Sequence, residues 1–220
     1  LEAVRSSADR ESLPLVRARF GLEPEAALRR LALEVLGDLR DAEAVELLTS
    51  IVQDPQAAPE EQDLAVVTAQ RIATPSMRAF LQEVVRADAL PLATLAGAIE
   101  ALGRLGAEAG EAQLDALVEE RLGHRREELR LAALRGTVAL RGRAAEALVL
   151  AAFDDEAIVV QREAVRLAGE LALESAFADL LELRVDVAVR AEAYRGLARL
   201  ARPERLEAYP QLLEVFLEGL

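Results

Sequence analysis

The feature that most constrains this chain is a two-helix unit that recurs along it. From Pro24 to Asp54 it reads PEAALRRLALEVLGDLRDAEAVELLTSIVQD. Ala26, Leu28, Leu31, Ala32, Val35, Leu36 and Leu39 fall at helical spacing and make one apolar stripe. Pro24 suits a first helical turn, where its missing N–H leaves no bond unmade. The run Gly37-Asp38-Leu39-Arg40-Asp41 reads as a turn, with Asp41 able to cap a second helix that carries Val45, Leu48, Ile51 and Val52 on one side. Asp54-Pro55 stops that second helix. Two short amphipathic helices cannot bury their faces alone, so copies must stack.

One small residue in each first helix sets the repeat. Ala3, Ala32, Ala65, Ala98, Ala133, Ala164 and Ala193 lie 29, 33, 33, 35, 31 and 29 residues apart. Alanine is expected there because small side chains let neighbouring helices approach at a crossing. Arg29, Arg130 and Arg190 stand three residues earlier, and Gly37, Gly103 and Gly169 five residues later. On this register the helix pairs are 24–39 with 41–53, 60–73 with 75–87, 91–105 with 107–122, 125–140 with 142–153, 156–172 with 173–184, and 187–201 with 203–219. The third pair is expected to turn at Gly103-Arg104-Leu105-Gly106. Thr74 is expected to cap the second helix of its pair, and Phe20, Phe80, Phe153, Phe177 and Phe216 to fill the core from second helices. The prediction is an all-α chain: one α-solenoid of about six antiparallel pairs over residues 1–220, a piece of a longer protein, with 1–21 left from a preceding repeat.

Two stretches carry a family resemblance. Leu36-Gly37-Asp38-Leu39 with Asp41-Ala42-Glu43-Ala44-Val45-Glu46-Leu47-Leu48, and Gln161-Arg162-Glu163-Ala164-Val165-Arg166-Leu167-Ala168-Gly169-Glu170-Leu171, resemble HEAT repeats of the short phycobilisome-lyase type. A period near 32 also suits tetratricopeptide and ankyrin repeats, but the chain has no tryptophan for the first and lacks the Thr-Pro-Leu-His of the second. The resemblance implies a right-handed superhelix with first helices convex and second helices concave. It implies a fold and no single activity, since such stacks serve scaffolds, lyases, hydroxylases and DNA-repair enzymes alike.

The residue inventory removes much chemistry. There is no cysteine, hence no disulfide or thiolate metal site. All 26 basic residues are arginine, so a phosphate-binding Walker lysine, a Schiff-base lysine and a kinase-type ATP site are excluded. That bias, with no asparagine, points to a GC-rich, bacterial source. The single histidine, His124, reads as a helix-entry residue. Asp154-Asp155-Glu156 reads as a charge cluster at a helix N-terminus, since it lacks the spaced ligands of a calcium loop. The serines lack a nucleophile-elbow context. The expectation is therefore of no catalytic constellation, no cofactor and no metal, and of a chain that is not an enzyme. No apolar run approaches a membrane span and no signal sequence is visible, which together with the missing cysteine suggests a cytoplasmic protein without a membrane partner.

Charge is the most informative remainder. The net charge of −13 opposes binding to a nucleic-acid backbone. The first helices hold 13 acids and 13 arginines, whereas the second helices hold 17 acids and 6 arginines. Early acids such as Asp41 and Glu43 answer the helix dipole, but Glu83, Asp115, Glu119, Glu182 and Glu214 lie mid or late in their helices, where the dipole disfavours them. The reading is an interaction module whose acidic concave groove takes a basic protein or peptide. Its wall is placed at Glu46, Gln53, Gln82, Glu83, Arg86, Asp115, Glu119, Glu146, Glu182, Glu207, Gln211 and Glu214. A lyase of the phycobilisome type and a HEAT-like nucleic-acid enzyme are the alternatives, to be separated by pigment binding and by a gel shift at low salt.

Overall fold

The computed structural model describes residues 1–87, 90–109, 118–173, 175–176 and 187–200. Among these there is no strand; the chain is a row of helices. A first pair, α1 (Glu2–Ser7) and α2 (Leu13–Phe20), packs on α3 (Ala26–Asp38). Then come α4 (Val45–Gln53), α5 (Pro59–Ile72), α6 (Pro75–Arg86) and α7 (Leu92–Ala109). They are followed by α8 (Glu127–Arg141), α9 (Glu146–Ala151), α10 (Ile158–Glu170) and α11 (Val187–Leu200). The first helices α3, α5, α7, α8, α10 and α11 pack in succession, each on the next, while α4, α6 and α9 lie alongside as their second helices. This is an all-α solenoid.

The register alanines sit where the packing is tightest. Ala32, Ala65, Ala98, Ala133, Ala164 and Ala193 are all buried, and only Ala3 is exposed. The apolar stripe of α3 is broader than predicted. Leu33 is fully buried, whereas Leu28 is 42% exposed and Ala26 is also in solvent. A first helix meets a neighbour on each side and its own second helix, so its core face exceeds one narrow stripe.

The glycines do a different job from the one predicted. Gly37 lies inside α3, and α7 runs through Gly103 and Gly106 without a turn. At the α7–α8 crossing a Cβ on Gly103 would come within 2.4 Å of the Gly136 Cα and 2.5 Å of its carbonyl oxygen. Glycine is required there by close backbone approach. In three pairs the turn is made instead by a residue in the left-handed region, Arg40 (φ 52°), Ala73 (φ 58°) and Ala172 (φ 51°), eight residues after its register alanine.

Capping follows chemistry. Thr74 Oγ1 accepts the Met77 N–H at 3.4 Å, and Asp41 accepts the Glu43 N–H at 3.2 Å to open a short 3-10 turn, Ala42–Ala44, ahead of α4. Pro24 lies outside α3, whose N-cap is Glu25; Pro59 and Pro75 take the first-turn positions of α5 and α6. The second helix expected over 142–153 is α9 between two 3-10 turns, Gly142–Ala145 and Ala152–Asp154.

Candidate functional site

The two rows of helices use their charges differently. Along the first helices, ion pairs and polar bonds link each helix to the next from α1 to α10. Asp38 of α3 meets Arg5 of α1 at 2.7 Å and Arg71 of α5 at 3.0 Å. Gln70 of α5 accepts from Arg104 of α7 at 3.0 Å. Glu100 of α7 meets Arg135 of α8 at 3.1 Å, and Arg135 Nε reaches Glu163 of α10 at 2.6 Å. Glu163 is 7% exposed and also accepts from Arg166 at 2.7 Å. Burial alone would raise its pKa, but the Arg166 and Arg135 guanidiniums more than reverse this and hold it at about 2.

A second device ties the loops between repeats. Three residues before the register alanine stand Arg29, Gln62, Arg130 and Gln161, and each donates to backbone carbonyls of the segment just before its own helix. The arginines do more. Arg29 Nε meets Glu61 at 2.6 Å, and Arg130 holds Asp155 with two bonds of 2.9 and 2.8 Å, each acid belonging to the start of the next repeat. Asp155 also accepts the Ala157 N–H at 2.8 Å, which accounts for the acidic run ahead of α10. His124 Nδ1 accepts the Arg126 N–H at 3.0 Å at the entry to α8. Among the described residues no group of three or more acidic or histidine side chains is placed to hold a metal ion, and no helix is long and apolar enough to cross a membrane.

The predicted wall is brought together only in part. Gln53 and Glu83 line one groove between the second helices α4 and α6. Glu46 is exposed on α4 and makes no ion pair, and Gln82 is half-buried. Arg86 pairs with Glu83 at 2.6 Å, the partner expected for an arginine one turn away. Glu119 is engaged by Arg141 and Glu146 by Ser175, so both acids are tied to neighbouring structure. Asp115, Glu182, Glu207, Gln211 and Glu214 lie outside the described residues, as do Phe177 and Phe216.

The groove has a volume of about 730 Å³. Its walls are Val52 and Gln53 from α4 and Phe80, Glu83 and Val84 from α6. Its edges come from the inter-repeat segments, with Pro55, Pro59 and Pro91 on the rim and Gln62 of α5 lining it from beneath. The lining is thus mostly apolar with acid at the margin. Sequence reasoning missed the apolar part, because Pro55, Ala57 and Leu90 belong to loops that no helical period reports.

Stacked antiparallel pairs of about 32 residues, with small buried residues at every first-helix crossing, define a HEAT-like α-solenoid. No protein-family model matches the chain, and no curated protein sequence matches it. Among solved structures, the complex of CpcE and CpcF of phycocyanin lyase from Nostoc sp. PCC7120 is similar over 96% of this chain and 85% of that one, at 15% identity and a TM-score of 0.49. That structure corrects one expectation. It belongs to an enzyme, so a helical stack without a recognisable catalytic motif gives no ground for excluding catalysis, and the exclusion read from the sequence is withdrawn.

Proposed function

We propose that the chain is a docking module that binds a basic protein or peptide segment on the second-helix side of one continuous solenoid. The observation that carries this reading is the groove between α4 and α6, an apolar cleft of about 730 Å³ edged by Gln53 and Glu83. Clefts of this size with few polar groups are the usual form of a binding site. The first-helix row contrasts with it, since its charges are spent on one another along the stack. The net charge of −13 favours encounter with a cationic partner and opposes a nucleic acid.

The test is site-specific photo-crosslinking in cells of the source organism. A benzophenone amino acid placed at the exposed positions Glu46, Ser50 or Ala79 on the second helices should give discrete protein adducts. The same group at Arg30, Arg104 or Glu170 on first helices should give none. Adducts confined to the first helices, or none at either row, would overturn the reading.

A further inference from the structure

The α4–α6 groove is lined from beneath by the polar side chain of Gln62. Gln62 is 5% exposed, and its Nε2 donates to the carbonyls of Val52 at 3.3 Å and Asp54 at 3.4 Å. Both neighbours are acceptors, so the amide orientation is fixed by chemistry: the NH2 faces the loop and Oε1 faces away from it. No hydrogen bond from the protein reaches Oε1. Oε1 is thus an open acceptor on the groove lining, free to take a ligand N–H. At the equivalent positions Arg29 and Arg130 carry no acceptor and fill their sites by clamping Glu61 and Asp155. Gln62 is shorter, and the cleft beside it stays open.

The margin supplies a second demand. Glu83 lies on the lining, and Asp54 and Glu60 flank the lining residues Gln53, Pro55 and Pro59. Arg86 is an exposed partner of Glu83 one turn away, and a surface pair of this kind leaves the carboxylate open to a second cation. Between donor-seeking floor and acidic margin the surface is apolar, formed by Val52, Phe80, Val84 and Leu90.

We infer that the α4–α6 groove binds an extended peptide segment of a partner protein. Its apolar side chains enter between Val52 and Val84, a backbone N–H donates to Gln62 Oε1, and a flanking arginine or lysine pairs with Glu83. This rests on the docking function proposed above and names the chemistry of what docks. The volume is several times that of one leucine side chain, so a segment and not a single side chain fills it.

The test uses the full chain and a fluorescein-labelled nonapeptide with Arg-Leu-Leu-Arg at the centre of a glycine–serine frame, read by fluorescence anisotropy. Binding should be saturable, about 10-fold weaker for the Ser-Leu-Leu-Ser peptide, and lost for Arg-Ser-Ser-Arg. Ala87→Trp, at an exposed position on the lining, should abolish binding with unchanged helicity by circular dichroism. Glu83→Gln should weaken the arginine-flanked peptide about 5- to 10-fold and leave the serine-flanked one alone. Binding that Ala87→Trp does not diminish, equal binding of a Glu-Leu-Leu-Glu peptide, or no binding at millimolar peptide would overturn the inference. If the peptides fail while crosslinks still map to the second helices, docking stands and this peptide chemistry falls; if both fail, docking falls too.

Discussion

The first-helix row of this solenoid is braced from helix to helix, whereas the second-helix row is braced at Arg17 with Asp41 and Glu43 and at Glu146 with Ser175, and is open between α4 and α6. In the first row α3, α5, α7, α8 and α10 touch in sequence, with alanine or glycine at the crossings and carboxylates locked between arginines of adjacent helices. In the second row α4 and α6 leave a cleft between them, and Glu46 makes no ion pair. A stack joined along one row can leave the other open. The difference teaches where to look for each property: substitutions in the first row should act on stability, and substitutions in the second on binding.

The sharpest break is expected at Arg130. It is 7% exposed, holds the His124 and Arg125 carbonyls, and clamps Asp155 with two bonds. Arg130→Ala would strand a half-buried carboxylate together with two loop carbonyls, at a cost of about 3–4 kcal/mol. Gln62→Ala, at the equivalent position, removes only neutral bonds and should cost about 1 kcal/mol. Urea unfolding of both variants checks the ratio; equal losses would show that the clamp on the next repeat adds nothing.

Next in size is Gly103→Ala. Its Cβ would sit 2.4 Å from the Gly136 Cα, so two helix backbones must separate, and the expected loss is about 3 kcal/mol. Gly37→Ala is the control. Its new Cβ meets the flexible Arg71 side chain at 3.2 Å, and the gain in helix propensity of about 0.5–1 kcal/mol should roughly offset that contact. A Gly103→Ala protein that melts like the parent would disprove the backbone contact.

Acid should loosen the first row. Glu163 has a folded pKa of about 2 against an ordinary value of 4.5, so its contribution is complete above pH 4.5 and is lost as pH falls toward 2. The shift corresponds to about 3 kcal/mol. Asp155 is lowered too, because the bonds from Arg130 and the Ala157 N–H outweigh the upward push of burial, and it adds to the loss with the same sign. Glu163→Gln should flatten the fall in urea midpoint between pH 4.5 and 2 without removing the part due to Asp155.

The repeat was legible because its cause is local: alanine recurs wherever first helices cross, and six of the seven register alanines are buried. The equality of acids and arginines in first helices was visible as a count, and the structure turns it into pairs such as Glu100–Arg135 that span 35 residues. Glycine misled. Gly37 and Gly103 read as turns, because in sequence a glycine needed for close approach looks like one needed for positive φ. The true turn residues, Arg40 and Ala73, carry no such signature. The groove was half legible. Gln53 and Glu83 followed from helical register, whereas its apolar rim comes from loop residues set by tertiary packing.

The smallest expected effect on stability falls in the second row and sharpens the comparison most. Glu46 is solvent-exposed and unpaired, and it lies in the first turn of α4, where a carboxylate gains about 0.3–1 kcal/mol from the helix dipole. Glu46→Gln should therefore cost no more than about 0.5 kcal/mol. Glu83 has only the exposed Arg86 for a partner, and Glu83→Gln should be similarly mild, since such pairs contribute about 0–1 kcal/mol. Unfolding midpoints for the two variants should then stay close to the parent while Arg130→Ala falls far below it. If either neutralisation costs as much as Arg130→Ala, the second row is braced like the first and the division of labour between the rows is wrong.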